Sequence, residues 1–506
     1  MSKVQINSEK TFEIIKLAVD NLTNLIKPTF GPAGNNVIVS KMLSRGVFDD
    51  GVQIARDYET DDPSERAIID IIRETPIKTN DRAGDGTTQS LIILQAIMSE
   101  AARKPRRNNL KIVNELKVAS KYISEILKKD AKKITSLGDL YKVARISFDD
   151  EKISEMIADL YHKLGKDGVI TVDKSPTLET FVETTDGIKV ENGYISQYMI
   201  TNAERMEAEI QKPYILITDY RITETNDILP IMEKLSKANR RELVVICENM
   251  EQHALATAVV NKIQGKFNLV AIVGPKHDKT WIDDFATATG GKVFSESKGD
   301  KLELAEIADL GQANKVVVRR TETIILEPKS KDEDVKKAIA SLRTAHDAEK
   351  NEALKKAIMK RIGMFENTIA VIRVGAYTDS EQKNIKYKVE DAVSSVRQAL
   401  HNGVVCGGGL SLARIKTKSA IMNVALKAPM DQLCENMGIE MTVDLKKPDE
   451  AINMVTSKTG NYLEVGVMDP VDVLVAGIES AVSTVSILLK STGMIVEFPE
   501  VPTKQE

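Results

Sequence analysis

The chain has 506 residues, with 70 Lys and Arg against 74 Asp and Glu, for a formal net charge of −4. That balance, spread over 28% charged residues of mixed sign, argues against a dedicated nucleic-acid binder, which carries a clearly basic face. The length admits about three domains, and 42% hydrophobic content is enough to build real cores. No apolar run approaches the ~20 residues that cross a bilayer. The opening MSKVQINSEK lacks the apolar stretch of a secretory signal. The expected location is therefore the cytoplasm, with no membrane and no nucleic-acid partner. Cys247, Cys406 and Cys434 are far apart and odd in number, so no disulfide framework is expected. The five histidines are scattered, and no Cys/His cluster points to zinc.

In chain order, residues 8–27 read as an amphipathic helix. Phe12, Ile15, Val19, Leu22 and Ile26 recur at 3-4-3-4 spacing on one face, and Pro28 ends it. A turn at Thr29-Phe30-Gly31-Pro32 and a short strand at 37–39 follow. The segment Ala83-Gly84-Asp85-Gly86-Thr87-Thr88 leads into an apolar helix from about Gln89 to Lys104. Between 213 and 326 short apolar runs (214–218, 243–247, 269–273, 292–294, 316–318) alternate with helical patterns at about 226–237, 251–264 and 279–288. Such alternation predicts βαβ units and a mostly parallel sheet. Residues 333–361, rich in Lys, Glu and Ala, read as an exposed helical pair. The last hundred residues return to helix signals, with glycines at 407–409, and the polar tail 497–506 is expected to fray.

The chemistry these segments offer is phosphate chemistry. Gly86 removes side-chain bulk so that backbone N–H groups can approach an anion. Thr87 and Thr88 add hydroxyls at the first turn of a helix, where the dipole favours negative charge. Asp85 would repel a phosphate directly but makes sense as a ligand of Mg²⁺ bridging to it. The competing reading is a simple capped helix start. A P-loop and a GxGxxG motif are both missing, so the turn at 29–32 and Gly407–Gly409 would have to supply further walls. On a helix at about 386–402, Val389, Ala392, Val393, Val396 and Leu400 share one face. Asp391 falls about 200° from Val389, either as a solvated carboxylate or as one aimed across a cleft to deprotonate a water. Asp50, in Asp49-Asp50-Gly51, carries the same two readings.

Taken together, these blocks resemble the group I chaperonins of the GroEL type. The resemblance rests on Thr29-Phe30-Gly31-Pro32, Asp50-Gly51-Val52, Gly84-Asp85-Gly86-Thr87-Thr88, Gly165 to Val172, Gly193-Tyr194-Ile195-Ser196, Val389-Glu390-Asp391-Ala392, Gly403 to Gly409 and Met468-Asp469-Pro470, in family order from about residue 10 to 495. It implies a multidomain fold: a mostly helical equatorial domain (1–131 and 403–506), a small α/β intermediate domain (132–186 and 369–402) and an α/β apical domain (187–368). It further implies an ATP-dependent chaperone, built as a homo-oligomeric, usually seven-membered ring that captures non-native polypeptides. A co-chaperonin lid stays open, and a non-hydrolysing holdase is the alternative.

Position by position, the resemblance puts Thr29, Phe30, Gly31, Pro32, Asp85, Gly86, Thr87, Thr88, Gln89, Gly408 and Asp469 around ATP. Asp85 would hold Mg²⁺ and Thr29 would help hold K⁺. Asp391 would position the attacking water, with Asp50 assisting. Tyr194, Tyr198, Met199, Leu229, Met232, Leu255, Val259 and Val260 match the family's polypeptide-binding positions, where the competing reading is ordinary core packing. The chain departs from the pattern in carrying Asp49 for Lys, Gln89 for Thr, a hinge of Asn367-Thr368 rather than Gly-Gly, and a shortened 459–464 segment without the residues that read the base.

Overall fold

The computed structural model describes residues 2–40, 45–48, 50–166, 168–190, 192–203, 205–274, 280–330, 332–349, 351–366, 368–440 and 442–498. Asp49, Asn367 and most of the 273–279 segment lie outside the described residues. The chain divides into two compact units. One comprises residues 1–168, 172–181 and 372–506, and the other 169–171 and 182–371. The expected intermediate segments, 132–186 and 369–402, fall for the most part in the first unit.

The first unit is a helical stack built by both chain ends. Helix Ser8–Ile26 starts where the Asn7 side chain accepts from Lys10 N at 3.0 Å, and it buries Ile15, Val19, Leu22 and Ile26, four of the five residues of the expected stripe. Phe12 packs against the same core from a half-buried position. Helix Pro63–Ala83 is capped by Asp62, opens on a proline whose missing N–H costs nothing at the first position, and stops at Gly84 in a left-handed conformation. Helices Thr87–Ala102 and Asn109–Asp130 complete the first half.

The C-terminal half contributes helix Val471–Leu488, which runs through the middle of that core and packs on helices 63–83, 87–102 and 109–130. This helix corrects one sequence expectation. Its 18 residues have a mean hydropathy of 1.7, apolar and long enough by composition to cross a membrane, yet 78% of them are buried in the protein. An all-round apolar helix is what the centre of a helical core requires. The chain ends also pair directly: Ser2–Ile6 and Met494–Phe498 form an antiparallel ladder from Ser2↔Phe498 to Ile6↔Met494. Glu497 and Phe498 therefore belong to a strand rather than to a frayed tail.

The second unit is a helix-covered mixed sheet. Strands Asn268–Val273, Glu242–Cys247 and Tyr214–Thr218 lie parallel in that order, and Val293–Phe294 adds to the last of them. Their near-continuous burial fits parallel strands covered on both faces. Helices Leu229–Lys237, Gln252–Ile263 and Thr280–Thr289 make the crossovers. The expectation of a mostly parallel sheet holds only for this half. Gly311–Val318 pairs antiparallel with Tyr214–Thr218, Thr323–Pro328 and Ala208–Gln211, and Thr323–Pro328 pairs antiparallel with Phe181–Val190. The four residues between 318 and 323 leave room only for a hairpin. Helices Asp332–Ala348 and Glu352–Glu366 form the expected pair.

Candidate active site

The expected phosphate-binding elements all belong to the first unit, and a chain of contacts draws them together. Gly86 takes φ +79° and opens helix Thr87–Ala102 without a side-chain cap, so the first-turn N–H groups stay available. A Cβ at Gly86 would stand 2.6 Å from Val473 Cγ1, so the 85–88 loop lies directly on the start of helix Val471–Leu488. A Cβ at Gly51 would stand 2.5 Å from Thr88 Oγ1 and 3.2 Å from Ile26 Cγ2, which brings the 50–51 turn and the end of the first helix to the same point. The turn at 27–29 packs against helix 87–102. Gly31 in turn touches Leu433, and Asn436 donates its amide to Lys27 O and Phe30 O at 2.9 and 2.8 Å. Strand Val404–Cys406 pairs with Met468–Pro470, opposing Val405 to Asp469, and a Cβ at Gly407 would stand 2.9 Å from Asp469 Oδ1.

Asp85 is the hub. Its Oδ1 accepts from Gly86 N at 2.6 Å, and its Oδ2 accepts the hydroxyls of Ser147 at 3.0 Å and Ser395 at 2.7 Å. Burial, together with the nearby Asp85 carboxylate, pushes Asp469 up to about 7. Asp391 sits on helix Asp379–Asn402, half-buried, one turn before Ser394 and Ser395. Ser394 abuts Gly84, and Ser395 holds Asp85. Residues four apart share a helix face, so Asp391 shares the Asp85-facing side of this helix. Packing around the helix leaves Asp391 half-buried. The helix is clasped by Leu137–Ser147, Glu151–Leu164 and Val471–Leu488, which cover more than the single apolar stripe read from the sequence.

Other expected positions have different local uses. Asp50 caps helix Gly51–Asp57, accepting from Val52 N at 3.1 Å, a local use that neither of its two sequence readings named. Thr29 is buried and donates its hydroxyl to Ile26 O at 2.9 Å. Gln89 is 8% exposed, and its amide nitrogen is sealed without a hydrogen-bond partner among the described residues. Three residues after Gly86 on the same helix, it lies on the Gly86 side of that helix. Pro32 is exposed in the turn closed by Gly34 N to Gly31 O at 2.9 Å.

Sequence reasoning missed Ser147, Ser395, Leu433 and Asn436. Ser395 alone left a signal, one turn beyond Asp391 on the same helix. Among the described residues no group of three or more His, Cys, Asp or Glu could hold a metal alone. The donor set nevertheless fits a divalent cation shared with a phosphate: one carboxylate fixed by two hydroxyls, a second carboxylate nearby, and open N–H groups beside them.

The TCP-1/cpn60 chaperonin pattern matches residues 22–499, spanning every one of these segments. The chain belongs to the TCP-1/cpn60 chaperonin family. Its fold is similar to that of the chaperonin gp146 from bacteriophage EL 2 (Pseudomonas aeruginosa), solved in the presence of ATP-BeFx. In one crystal form the two share 20% identity over 98% of this chain and 100% of that one, with a TM-score of 0.66. In a second crystal form the values are 19%, 98%, 99% and 0.60. The protein is thus a divergent chaperonin, an ATP-dependent chaperone by family, with a multidomain helical and α/β fold.

The second unit of this chaperonin carries the expected polypeptide-binding positions, which divide by exposure. Tyr198 is 63% and Val260 49% exposed. Tyr194, Leu229, Leu255 and Val259 are half-buried. Met199 and Met232 are buried core residues at 0% and 4%. Met199 Sδ accepts from Ala271 N at 3.3 Å, and Met232, on helix Leu229–Lys237, belongs to the same hydrophobic core. For these two the packing reading is the right one.

Proposed function

We propose that this chaperonin binds ATP in the cradle around Asp85 and hydrolyses it there, and that turnover drives capture and release of non-native polypeptides by a homo-oligomeric ring. The observation that carries the reading is the setting of Asp85. It lies at the open N-terminus of a 16-residue helix, clamped by hydroxyls from two distant chain segments, with Asp391 one turn from one of those clamps.

In this reading the first-turn N–H groups of helix 87–102 and the Thr87 and Thr88 hydroxyls bind phosphate oxygens. Asp85 would hold Mg²⁺, with Asp469 as its neighbour and Thr29 beside a K⁺ ion. The divalent ion, when bound, neutralises charge that builds on the phosphate oxygens. Ser147 and Ser395 fix the Asp85 carboxylate in one orientation, so that no reorganisation is needed as charge develops. Asp391 orients the attacking water and accepts its proton. Asp50 presents Gly51 to Thr88 by capping the short helix between them. Gly408 and Val467, which nearly touch, form the nucleoside side.

Three segments place large apolar side chains on the second unit: the turn Gln197–Met199 and helices Leu229–Lys237 and Gln252–Ile263. Repeating such a patch around a ring, seven-fold in the group I pattern, converts weak contacts into strong capture by avidity. Cytoplasmic location goes with this reading. Steady-state ATPase measurement on particles imaged from the same sample tests it. Mg²⁺-dependent turnover by ring-shaped particles supports the reading. Rings that hold unfolded protein without turnover would favour the holdase alternative.

A further inference from the structure

Helices Asn109–Asp130 and Val471–Leu488 pack side by side in the first unit and leave a groove between their outer faces. One recess of about 510 Å³ runs along it, and a second of about 470 Å³ shares Lys117 and Ser483 with the first and continues to Ser491. Both are in the size range of small-molecule sites. Lys117, Lys121 and Lys128 share one face of the first helix and line the groove over about 16 Å. Lys490, past the end of the second helix, lines the second recess. None of these four lysines has an ion-pair partner among the described residues. Elsewhere in the same unit lysines are paired, as Lys16 is with Asp20, Lys78 with Glu74 and Lys132 with Asp449. Of the two carboxylates in the groove, Glu479 is committed to Arg82 at 2.8 Å, leaving Glu125 alone against the lysines. The groove is thus basic in a chain whose net charge is −4. It also offers hydroxyls. Ser120 and Ser124 are each 7% exposed, yet neither hydroxyl has a hydrogen-bond partner among the described residues, and neither is sealed from solvent. A buried helical serine can return its proton to the carbonyl four residues back, as Ser486 does to Val482 O at 2.6 Å. Ser120 and Ser124 instead keep theirs open to the groove.

We propose that this groove is a binding site for an extended oligophosphate anion, gripped along its length by Lys117, Lys121, Lys128 and Lys490 and from beneath by the Ser120 and Ser124 hydroxyls. Lys117 and Lys121, four apart on one helix, form a like-charge pair that destabilises the bare helix. A polyanion laid along the groove turns that repulsion into attraction. Ammonium groups hold phosphate as point charges, and the serine hydroxyls donate to its oxygens. Charges spread over about 16 Å suit a chain of phosphates rather than a single one. The site is separate from the Asp85 cradle, since Ser483 lies about 15 Å along its helix from Val473, where that helix meets Gly86. The assignment therefore does not depend on the ATPase or capture readings.

The test titrates the full chain with sodium tripolyphosphate in the absence of Mg²⁺ and nucleotide, with affinity read by isothermal calorimetry at low and high salt. Saturable binding that weakens as salt rises is expected, because these charges are exposed to screening. Lys121→Gln combined with Lys490→Gln is expected to weaken binding about tenfold, at about threefold for each exposed ion pair. Lys121→Arg combined with Lys490→Arg keeps both charges and is expected to stay within about twofold of the parent. Ser120→Ala combined with Ser124→Ala is expected to lose about threefold. Thr87→Val, in the cradle, is expected to leave tripolyphosphate affinity unchanged, which assigns the heat to the groove. A parent that does not bind, parental affinity in the paired glutamine variant, or affinity lost in Thr87→Val would each overturn the site. Orthophosphate binding as tightly as tripolyphosphate would overturn the extended ligand. A hexaglutamate peptide binding more tightly than either would overturn phosphate in favour of an acidic protein segment.

Discussion

The two units use glycine, polar and apolar residues in opposite ways. Around Asp85, the proposed nucleotide site would draw on polar atoms and bare backbone brought together from residues 26–31, 50–51, 85–88, 147, 395, 407 and 469. In the second unit the proposed capture surface would draw on apolar side chains that differ from core residues only in the direction they face. Met199 and Tyr198 are adjacent, yet one is 0% and the other 63% exposed. The polar site is thus encoded by residue type, and the apolar surface by orientation alone.

The sharpest way to break that contrast is to remove the hub. Asp85→Ala should lower ATP turnover by on the order of a hundredfold or more, since in the proposed function one carboxylate would both hold the cation and fix the loop. Isothermal titration with ATP should show weakened binding as well. A variant with full turnover would mean that the cradle is a helix start and nothing more.

The next effect is on stability in the other unit. Met199→Ala should destabilise it by about 2–5 kcal/mol, the usual cost of emptying a filled core position. Val260→Ser should stay within about 0.5 kcal/mol, as surface changes do. Urea denaturation of the two variants distinguishes them, and equal losses would contradict the division between core and surface.

Gly86→Ala should cost about 1–3 kcal/mol, because a Cβ would meet Val473 at 2.6 Å and the φ of +79° is disfavoured for alanine. Nucleotide binding should fall with it, measured by titration at a temperature where the variant remains folded.

The smallest effect concerns the thiols. Burial pushes Cys247 up to about 12 and Cys406 up to about 11. At pH 8 both hold only a trace of thiolate, and the alkylating agent is also excluded. Half-buried Cys434 should therefore be modified first by iodoacetamide, as peptide mapping would show. Equal labelling of all three would indicate that both cores open readily.

Much of the helical unit was legible in the sequence because apolar periodicity and glycine-marked turns are local signals. The stripe from Ile15 to Ile26, the strand at 37–40 and the Gly86 turn follow from periodicity and backbone freedom. Asp391 was legible only as a choice between two readings. Its burial is set by the surrounding helices, which no single segment specifies. Ser147 and Asn436 left no local trace, since a serine or asparagine near a helix end is common. The antiparallel half of the sheet was hidden for a similar reason. Strands 208–211 and 181–190 are short or only partly buried, so no apolar run marks them. Helix 471–488 does not read as one apolar run because Asp472 interrupts it near its start and Glu479 in its middle.

The central claim is that segments from both ends of the chain hold a nucleotide whose hydrolysis is directed by Asp391. Its most direct test is Asp391→Ala, followed by ATP titration and single-turnover hydrolysis on the same preparation. The account predicts binding within about threefold of the parent and a hydrolysis rate reduced by about a hundredfold or more, the range of a lost general base. Parental hydrolysis in this variant, or loss of binding and hydrolysis together, would contradict it.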